Sequence, residues 1–206
     1  MFNEDFLNVN GLSLDILRAL SYKSSLSRSL RNKLKSFDRE ALLNELFTMR
    51  RWLNEQNVLD DIDLDYRIKS EESIEGKYER YCDTSREAGQ VFNDILGFRG
   101  FCDDYADILK IDKKEFRIAD MSTGKAKDDG YRGVHLYFQV DNFHYPIEIQ
   151  FNTLYDRQIN NWLHDYLYKK DYPNSVGQMM RQAYENGKIR NANEFEEVLT
   201  DVLSRS

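Results

Sequence analysis

The chain has 206 residues, of which 41% are hydrophobic, 13% aromatic and 32% charged, and its formal net charge is −7. This aromatic content excludes a disordered chain, the short apolar runs exclude a membrane-spanning helix, and the acidic balance argues against a non-specific DNA-binding protein. The polar N-terminus and the two cysteines, Cys82 and Cys102, lead us to expect a protein of the reducing cytoplasm without a disulfide framework.

The first 59 residues predict a helical region. Apolar residues recur at helical spacing over 12–20 and 42–53, with a Ser-rich break at 24–29 between them, and Ser36-Phe37-Asp38 offers N-caps for the second helix. Between Arg18 and Lys35 the chain carries basic residues and no acidic one. We expect this run to form a basic helical patch that faces either a local anionic ligand or only solvent.

Strand-like segments dominate the middle of the chain. An extended segment, RIKS, leads into a helical stretch at 71–80, and the strand candidates are VFNDILGFRGFCD, FRIADM, GVHLYFQV and YPIEIQF. Asp141-Asn142 marks a turn between the last two candidates. Residues 154–170 and 176–203 are again helical, with a break near Gly187.

This order of elements predicts an α+β fold, with a mixed or antiparallel sheet of about five strands flanked by helices. We divide the chain into an N-terminal helical region at 1–59, a core at 60–172 and C-terminal helices at 173–206, all within one compact domain.

One group of polar residues lies where the extended segment enters the helix, namely Arg67, Lys69, Ser73 and Lys77. Converging guanidinium, ammonium and hydroxyl groups could form a cradle for a polyphosphate. The alternative is a solvated, charged strand edge.

Two carboxylates interrupt apolar strand candidates. Asp94 lies within NDILGFRG, and Glu148 makes one face of IEIQF polar. If the two strands are neighbours, these carboxylates could hold Mg²⁺, with substrate phosphates completing the coordination. The alternative is that each carboxylate pairs with Arg99 or Arg132.

A fourth group contains Lys125, Lys127 and the sequence GYRGVH at 130–135. Tyr131 could stack a base, and the lysines could form a phosphate-neutralising loop or only a solvated turn. The sequence contains no GxxxxGK[ST], GxGxxG or GxSxG motif, and its three histidines lack the spacing of zinc hydrolases.

Taken in order, RIKSEESIEGK, DILGFR, KDDGYRGVH, EIQFNT and a helix with Trp162 and His164 resemble the synthetase domain of the RelA/SpoT family. The resemblance covers roughly residues 60–170. It implies a nucleotidyltransferase-like fold, Mg²⁺ as the cofactor, and transfer of the β,γ-pyrophosphate of ATP to the 3′-hydroxyl of a second nucleotide.

The resemblance also implies site residues. The ATP-binding residues would be Arg67, Lys69, Ser73, Lys77, Arg99 and Lys127. Asp94 and Glu148 would bind Mg²⁺, with Glu148 also helping to deprotonate the attacking hydroxyl. Tyr131 would stack the acceptor base as a catalytic group. The residues orienting the acceptor would be His135, Gln150 and Asn152.

The sequence departs from the usual family pattern on the acceptor side. Family members usually have Ile-Arg-Thr after EIQ, where this chain has Phe151-Asn152-Thr153. They usually have a Pro-Lys and an Asn before GYR and a Ser after it, where this chain has Ala126-Lys127-Asp128-Asp129 and Gly133. The acidic pair Asp128-Asp129 would disfavour free GDP or GTP. The chain is most similar to the toxic small alarmone synthetases, which work in toxin–antitoxin pairs and pyrophosphorylate the 3′-terminal adenosine of tRNA.

Our first hypothesis is therefore a toxin that modifies the tRNA CCA end, with ATP as donor and a cognate antitoxin protein as partner. The expected tRNA contacts are Lys23, Arg28, Arg31 and Lys33. The alternative is a (p)ppGpp synthetase acting on GDP or GTP. A catalytically silent nucleotide-binding module is disfavoured because both carboxylates and the donor cluster are present. We expect neither DNA nor a membrane as a partner.

Overall fold

The computed structural model describes residues 7, 11–111, 113–168, 170 and 172–204. One mixed sheet contains five strands in the order β1-β2-β5-β4-β3. The strands are β1 Asp65–Ile68, β2 Leu96–Phe101, β3 Phe116–Asp120, β4 Val134–Phe138 and β5 Ile147–Asn152. The predicted α+β class and the number of strands are confirmed.

Seven α-helices lie in the described part of the chain. They are α1 Leu14–Ala19, α2 Arg39–Asn54, α3 Glu71–Tyr81, α4 Ala88–Val91, α5 Leu154–Tyr166, α6 Asn174–Glu185 and α7 Ala192–Ser204. No described helix has the length and apolar character that crossing a bilayer would require.

Helices α2, α3 and α5 each begin at a polar N-cap. The side chains of Asp38, Ser70 and Thr153 accept hydrogen bonds from the backbone N–H three residues ahead, at 2.9, 3.3 and 3.1 Å. Such caps satisfy a backbone donor that the helix leaves without a partner. The predicted start of α2 within Ser36-Phe37-Asp38 is confirmed.

The chain forms two compact units. Unit 1 comprises Met1–Gly100, Lys110–Ile118 and His135–Gln150, and it holds most of the sheet. Unit 2 comprises Phe101–Leu109, Ala119–Val134 and Phe151–Ser206. The domain limits expected at residues 59/60 and 172/173 stay predictions.

The sheet in unit 1 has one apolar and one polar face. Ile147 and Ile149 are fully buried on β5 and alternate with Glu148 and Gln150. Successive strand residues point to opposite faces, so the two polar side chains share one face. On β4 the same alternation puts His135 and Tyr137 on one face of the strand. The register of β1 and β2 places Arg67 opposite Gly97.

Unit 2 has its own helical core. Helices α5, α6 and α7 pack through a cluster of buried residues: Ile159, Trp162, Leu163, Leu167, Val176, Met180, Ile189, Phe195 and Leu199. Gly187, with φ of +71°, lies in the connection between α6 and α7. The predicted helices and the break near Gly187 are confirmed, because apolar residues at helical spacing are sufficient to indicate them.

The predicted helical form of the basic run is wrong outside the Ser-rich break at 24–29, because the irregular part extends well beyond that break. Helix α1 ends at Ala19, and residues 20–33 follow an irregular path in which Lys23 bridges His144 and Lys33 bridges Glu87. Serine side chains in this segment bond backbone groups, as when the Ser29 hydroxyl accepts from the Arg31 N–H at 3.2 Å. These local bonds compete with helix formation.

The turn between β4 and β5 occurs one residue later than the sequence predicted. The His144 N–H donates to the Asp141 carbonyl oxygen at 3.2 Å, which makes Asn142 and Phe143 the central residues. The Asp141 carboxylate also accepts from the Phe143 N–H at 2.7 Å. An aspartate that bonds the amide two residues ahead is a common way to start a turn.

Candidate active site

Six of the residues singled out in the sequence line one small cavity in unit 1. The cavity has a volume of about 50 Å³ and is lined by Arg67, Lys69, Asp94, Gly97, Phe98, Arg99, Glu148 and Gln150. Strands β2 and β5 are neighbours in the sheet, as the two-carboxylate prediction required. Asp94, which precedes β2, and Glu148 on β5 therefore meet at the same cavity.

Asp94 is held by two lysines from different elements. Lys69 Nζ donates to Asp94 Oδ2 at 2.6 Å, and Lys77 Nζ donates to Oδ1 at 2.9 Å. Lys69 directly follows β1 and Lys77 lies on α3. The segment that leads from β1 into α3 therefore contacts the Asp94 carboxylate through both lysines. The alternative pairing of Asp94 with Arg99 or Arg132 is wrong.

Glu148 is buried, with 6% of its surface exposed, and is surrounded by donors. The Tyr137 hydroxyl donates to Oε1 at 2.8 Å, His135 Nδ1 lies 3.0 Å from the same oxygen, and the Gln150 amide donates to Oε2 at 2.6 Å. Pairing of Glu148 with Arg99 or Arg132 is therefore also wrong.

These donors control the ionisation of Glu148. Burial acts to raise its pKa, but the hydrogen bond and charge of His135, together with Tyr137 and Gln150, outweigh burial and lower the pKa of Glu148 to about 2. The carboxylate is consequently ionised at neutral pH and is only weakly basic. Such a group is better suited to holding a cation than to keeping a proton.

The donor set fits Mg²⁺. Asp94 and Glu148 present carboxylate oxygens to one cavity, and each oxygen can accept more than one bond. Within the described residues, no three His, Cys, Asp or Glu side chains gather as a metal cluster. A magnesium ion here would therefore rely on two carboxylates and on oxygens from water and phosphate, which is a common arrangement for this metal.

Sequence reasoning missed Tyr137 and Arg117. The Arg117 guanidinium lies 3.9 Å from the centroid of the Tyr137 ring, and burial and then the charge of Glu148 raise the pKa of the Tyr137 hydroxyl. The sequence did contain a signal for Tyr137. It lies two residues after His135, as Gln150 lies two residues after Glu148, and this spacing puts both side chains of a strand on the same face.

A larger, basic cavity lies in the same unit. Its volume is about 490 Å³, and its lining includes the four cationic residues Arg31, Lys113, Lys114 and Arg117, the two acids Glu87 and Glu115, and Tyr137. Arg31 is the only one of the four expected tRNA contacts in this lining. Lys23, Arg28 and Lys33 lie elsewhere on the segment.

The predicted acceptor loop lies in unit 2, where its acidic pair is neutralised. Arg132 binds both oxygens of Asp128, at 2.8 and 3.0 Å, and this ion pair lowers the pKa of Asp128. Lys125 Nζ donates to Asp129 at 2.6 Å and lies 4.9 Å from the centroid of the Tyr131 ring. Because both charges are paired, the expected repulsion of GDP or GTP by Asp128-Asp129 loses its basis.

The remaining predicted site residues differ in their environments. Asn152 is 1% exposed and donates to the Arg132 carbonyl at 2.8 Å and to the Tyr131 hydroxyl at 3.5 Å. Lys127 is exposed in the loop, and Ser73 is half-buried in the first turn of α3. The ligand contacts expected of these residues stay predictions.

A family model described as a region found in RelA / SpoT proteins matches residues 66–172. A search of curated protein sequences found no match. Among solved structures, the chain is similar to small alarmone synthetase 1 from Bacillus subtilis bound to pppGpp, with 24% identity over 81% of this chain and 91% of that chain and a TM-score of 0.45. It is also similar to a GTP pyrophosphokinase family protein from Streptococcus pneumoniae, with 23% identity over 80% and 90% of the chains and a TM-score of 0.42.

The family model covers just over half of the sequence and spans both Asp94 and Glu148. The chain therefore belongs to the RelA/SpoT family.

Proposed function

We propose that this RelA/SpoT pyrophosphokinase transfers the β,γ-pyrophosphate of ATP to the 3′-terminal adenosine of the tRNA CCA end. The product would block aminoacylation, so that the protein acts as a growth-inhibiting toxin with a cognate antitoxin. The observation that carries the chemistry is the meeting of Asp94, Glu148 and the cationic residues at one cavity. Pyrophosphoryl transfer depends mainly on such positioning and charge neutralisation.

On the donor side, we expect the phosphates of ATP to replace Asp94 as the partner of Lys69 and Lys77. Lysine ammonium groups are mobile point charges and can exchange one anion for another. Asp94 would then be able to join Glu148 in holding Mg²⁺. When bound, the metal would neutralise charge on the transferring group.

The donor site would have further contributors. Arg67 and Arg99 lie at the cavity wall, where Arg67 could bind the phosphates and ribose of ATP and the planar guanidinium of Arg99 could stack on the adenine. Ser73 and Lys127 are the further ATP contacts in this proposal.

In the reaction, the 3′-hydroxyl oxygen of the acceptor forms a bond to the β-phosphorus of ATP. The bond between that phosphorus and the α–β bridging oxygen breaks, and AMP leaves. The hydroxyl proton passes to Glu148 and then to solvent, since a carboxylate of such low pKa does not retain it. His135, Tyr137 and Gln150 keep Glu148 oriented throughout.

Two features support RNA as the acceptor. Tyr131 is half-buried with Lys125 over its ring, an arrangement that suits stacking of a terminal base. The basic cavity with Arg31, Lys113 and Arg117 concentrates positive charge on a protein of net charge −7, as phosphate contacts require. Lys23, Arg28 and Lys33 would extend this contact along the segment.

One observation favours the alternative function, synthesis of (p)ppGpp from GDP or GTP. The carboxylates of Asp128 and Asp129 are already paired with Arg132 and Lys125, so they do not bar an anionic nucleotide.

The experiment uses the full chain, Mg²⁺ and ATP labelled on the β or γ phosphate, with tRNA, GDP, GTP and AMP offered separately. Label on tRNA that is lost when the terminal adenosine is removed would establish the tRNA acceptor. Label on GDP or GTP alone would establish the alternative. No transfer to any acceptor, or wild-type turnover of Asp94→Ala, would overturn the proposed chemistry.

Charge reversal then tests the RNA contact. We expect the double variant Arg31→Glu and Lys113→Glu to lose tRNA labelling while its affinity for ATP stays unchanged. The matched control is Arg51→Glu, an exposed arginine on α2 in the same unit. Equal tRNA labelling by the double variant and the control would exclude the basic cavity as the RNA contact.

A further inference from the structure

A buried arginine in unit 2 lies directly behind the loop that carries Tyr131. Arg181 on α6 is 1% exposed, and its guanidinium donates to the Gly130 carbonyl at 2.8 Å, to Asp156 Oδ1 at 2.6 Å and to Asn160 Oδ1 at 3.1 Å. A buried guanidinium is tolerated only when charge and hydrogen-bond partners surround it. Arg181 has both.

Asp156, the ion-pair partner, is itself held in place. The Tyr105 hydroxyl donates to Asp156 Oδ2 at 2.7 Å, and the Thr153 hydroxyl donates to the same oxygen at 3.0 Å. The first turn of α5 therefore presents a fixed carboxylate to Arg181. The guanidinium is locked in one orientation, with its Nε directed at the loop.

The loop is held on both sides of Tyr131. Arg181 binds the carbonyl of Gly130, the residue before it. Asn160 and Asn152 both donate to the carbonyl of Arg132, the residue after it, at 2.7 and 2.8 Å. With both adjacent carbonyls fixed, the direction in which the Tyr131 side chain leaves the backbone is fixed too.

Helix α6 also contacts the loop through its backbone. A Cβ on Gly177 would collide with the Asp129 carbonyl oxygen, and a Cβ on Gly130 would collide with the Gly177 carbonyl. Gly177 lies one turn before Arg181, so both face the loop. Gly130 also has φ of +86°, a conformation that glycine adopts without strain.

We infer that Arg181 is a positioning residue for the acceptor: it sets the loop so that Tyr131 can stack on the acceptor base. The inference rests on the proposed function in assigning Tyr131 to the acceptor. Because Arg181 acts on the backbone of this loop, its loss should weaken acceptor binding without changing the affinity for ATP.

The test is Arg181→Lys in the full chain. Lysine keeps the charge opposite Asp156, but its single ammonium group cannot reproduce the fork that reaches Gly130 and Asn160. We expect the KM for the acceptor to rise roughly tenfold, since a charged hydrogen bond to the loop is lost. The KM for ATP should stay at its wild-type value. The control is Arg190→Lys, an exposed arginine of the same unit.

A spectroscopic measurement separates this inference from the proposed function. With 3-fluorotyrosine placed at position 131, the ¹⁹F resonance of the protein without substrates should shift or broaden in Arg181→Lys and stay unchanged in Arg190→Lys. The ¹⁹F comparison needs no acceptor. If no acceptor is labelled, the proposed function is overturned, but the ¹⁹F comparison still tests whether Arg181 positions Tyr131.

A folded Arg181→Lys variant with the wild-type acceptor KM and the wild-type ¹⁹F resonance would overturn the inference. An equal rise in the KM values for ATP and acceptor would also overturn it, because a general loss of structure would explain that result. If Arg181→Lys does not fold, the variant Asn160→Ala tests whether these contacts behind the loop position the acceptor. It removes a bond to the Arg132 carbonyl and should give the same split between the two KM values.

Discussion

At the scale of single residues, the site depends on how two carboxylates are partnered. Asp94 is bound by two flexible ammonium groups, whereas Glu148 is fixed by three donors on the polar face of the sheet. Lysines can move to an incoming anion, but the three partners of Glu148 belong to strands β4 and β5 of the sheet. We therefore expect Asp94 to change partners during the reaction and Glu148 to keep its own.

The low pKa of Glu148 predicts a pH-dependent contribution to stability. Its pKa falls from an ordinary 4.5 to about 2 on folding, so the unfolded chain binds the proton more tightly. The stabilisation is complete above pH 4.5, is lost as pH falls towards 2, and amounts to on the order of 3 kcal/mol. Urea unfolding of Glu148→Gln should show a flatter acid limb than the wild type.

Glu197→Gln, an exposed position on α7, provides the control for this measurement. If wild type and Glu148→Gln lose stability in parallel between neutral pH and pH 2, the three donors do not stabilise the ionised form.

At the scale of elements, helix α2 determines the path of the basic segment. Glu45 is buried on α2, where it accepts from the Ser24 hydroxyl at 2.7 Å, the Ser25 N–H at 2.6 Å, the Ser25 hydroxyl at 2.7 Å and the Tyr145 hydroxyl at 2.8 Å. One carboxylate thus holds the start of the segment against both α2 and the residues that precede β5. The segment that carries Arg31 is ordered by this contact rather than by helix formation.

Glu45→Gln should loosen that segment. Glutamine keeps the shape of the side chain but removes the negative charge, so the four hydrogen bonds to this position lose their charge assistance, at a cost of about 1–3 kcal/mol. Native-state hydrogen exchange should accelerate at residues 24–31 and stay unchanged in α3. Glu40→Gln, exposed on the same helix, is the matched control. Unchanged protection of residues 24–31 in Glu45→Gln would show that other contacts hold the segment.

At the scale of the whole molecule, charge is distributed unevenly. The chain has a net charge of −7, yet Arg31, Lys113, Lys114 and Arg117 share one cavity. A macromolecular polyanion would be repelled by the net charge of the chain and attracted at this cavity. The strength of its binding should therefore depend strongly on ionic strength.

If tRNA is the acceptor, its kcat/KM should fall roughly a hundredfold between about 50 and about 200 mM salt, the value for three to four phosphate contacts. The double variant Arg31→Glu and Lys113→Glu should show a much shallower slope on a logarithmic plot, with Arg51→Glu as its control. A wild-type slope no steeper than that of the double variant would show that this cavity releases no counterions on binding.

The sequence alone determined the features that depend on local pattern. Helices α2 and α5–α7 followed from apolar spacing and caps, and the strands followed from alternation. Each of these patterns is formed by residues that lie close together along the chain. The spacing around Asp94, Glu148 and Tyr131 was likewise sufficient to select the candidate site residues.

Only the tertiary structure decided which side chains meet. The lysine partners of Asp94, the bond from Tyr137 to Glu148 and the contact of Arg181 with Gly130 join residues 11 to 51 positions apart. Their meeting depends on the strand order and on helix packing, which local pattern does not encode. The basic segment is not helical for the same reason: Glu45 and two bridges to distant residues hold its serine-rich chain in an irregular path.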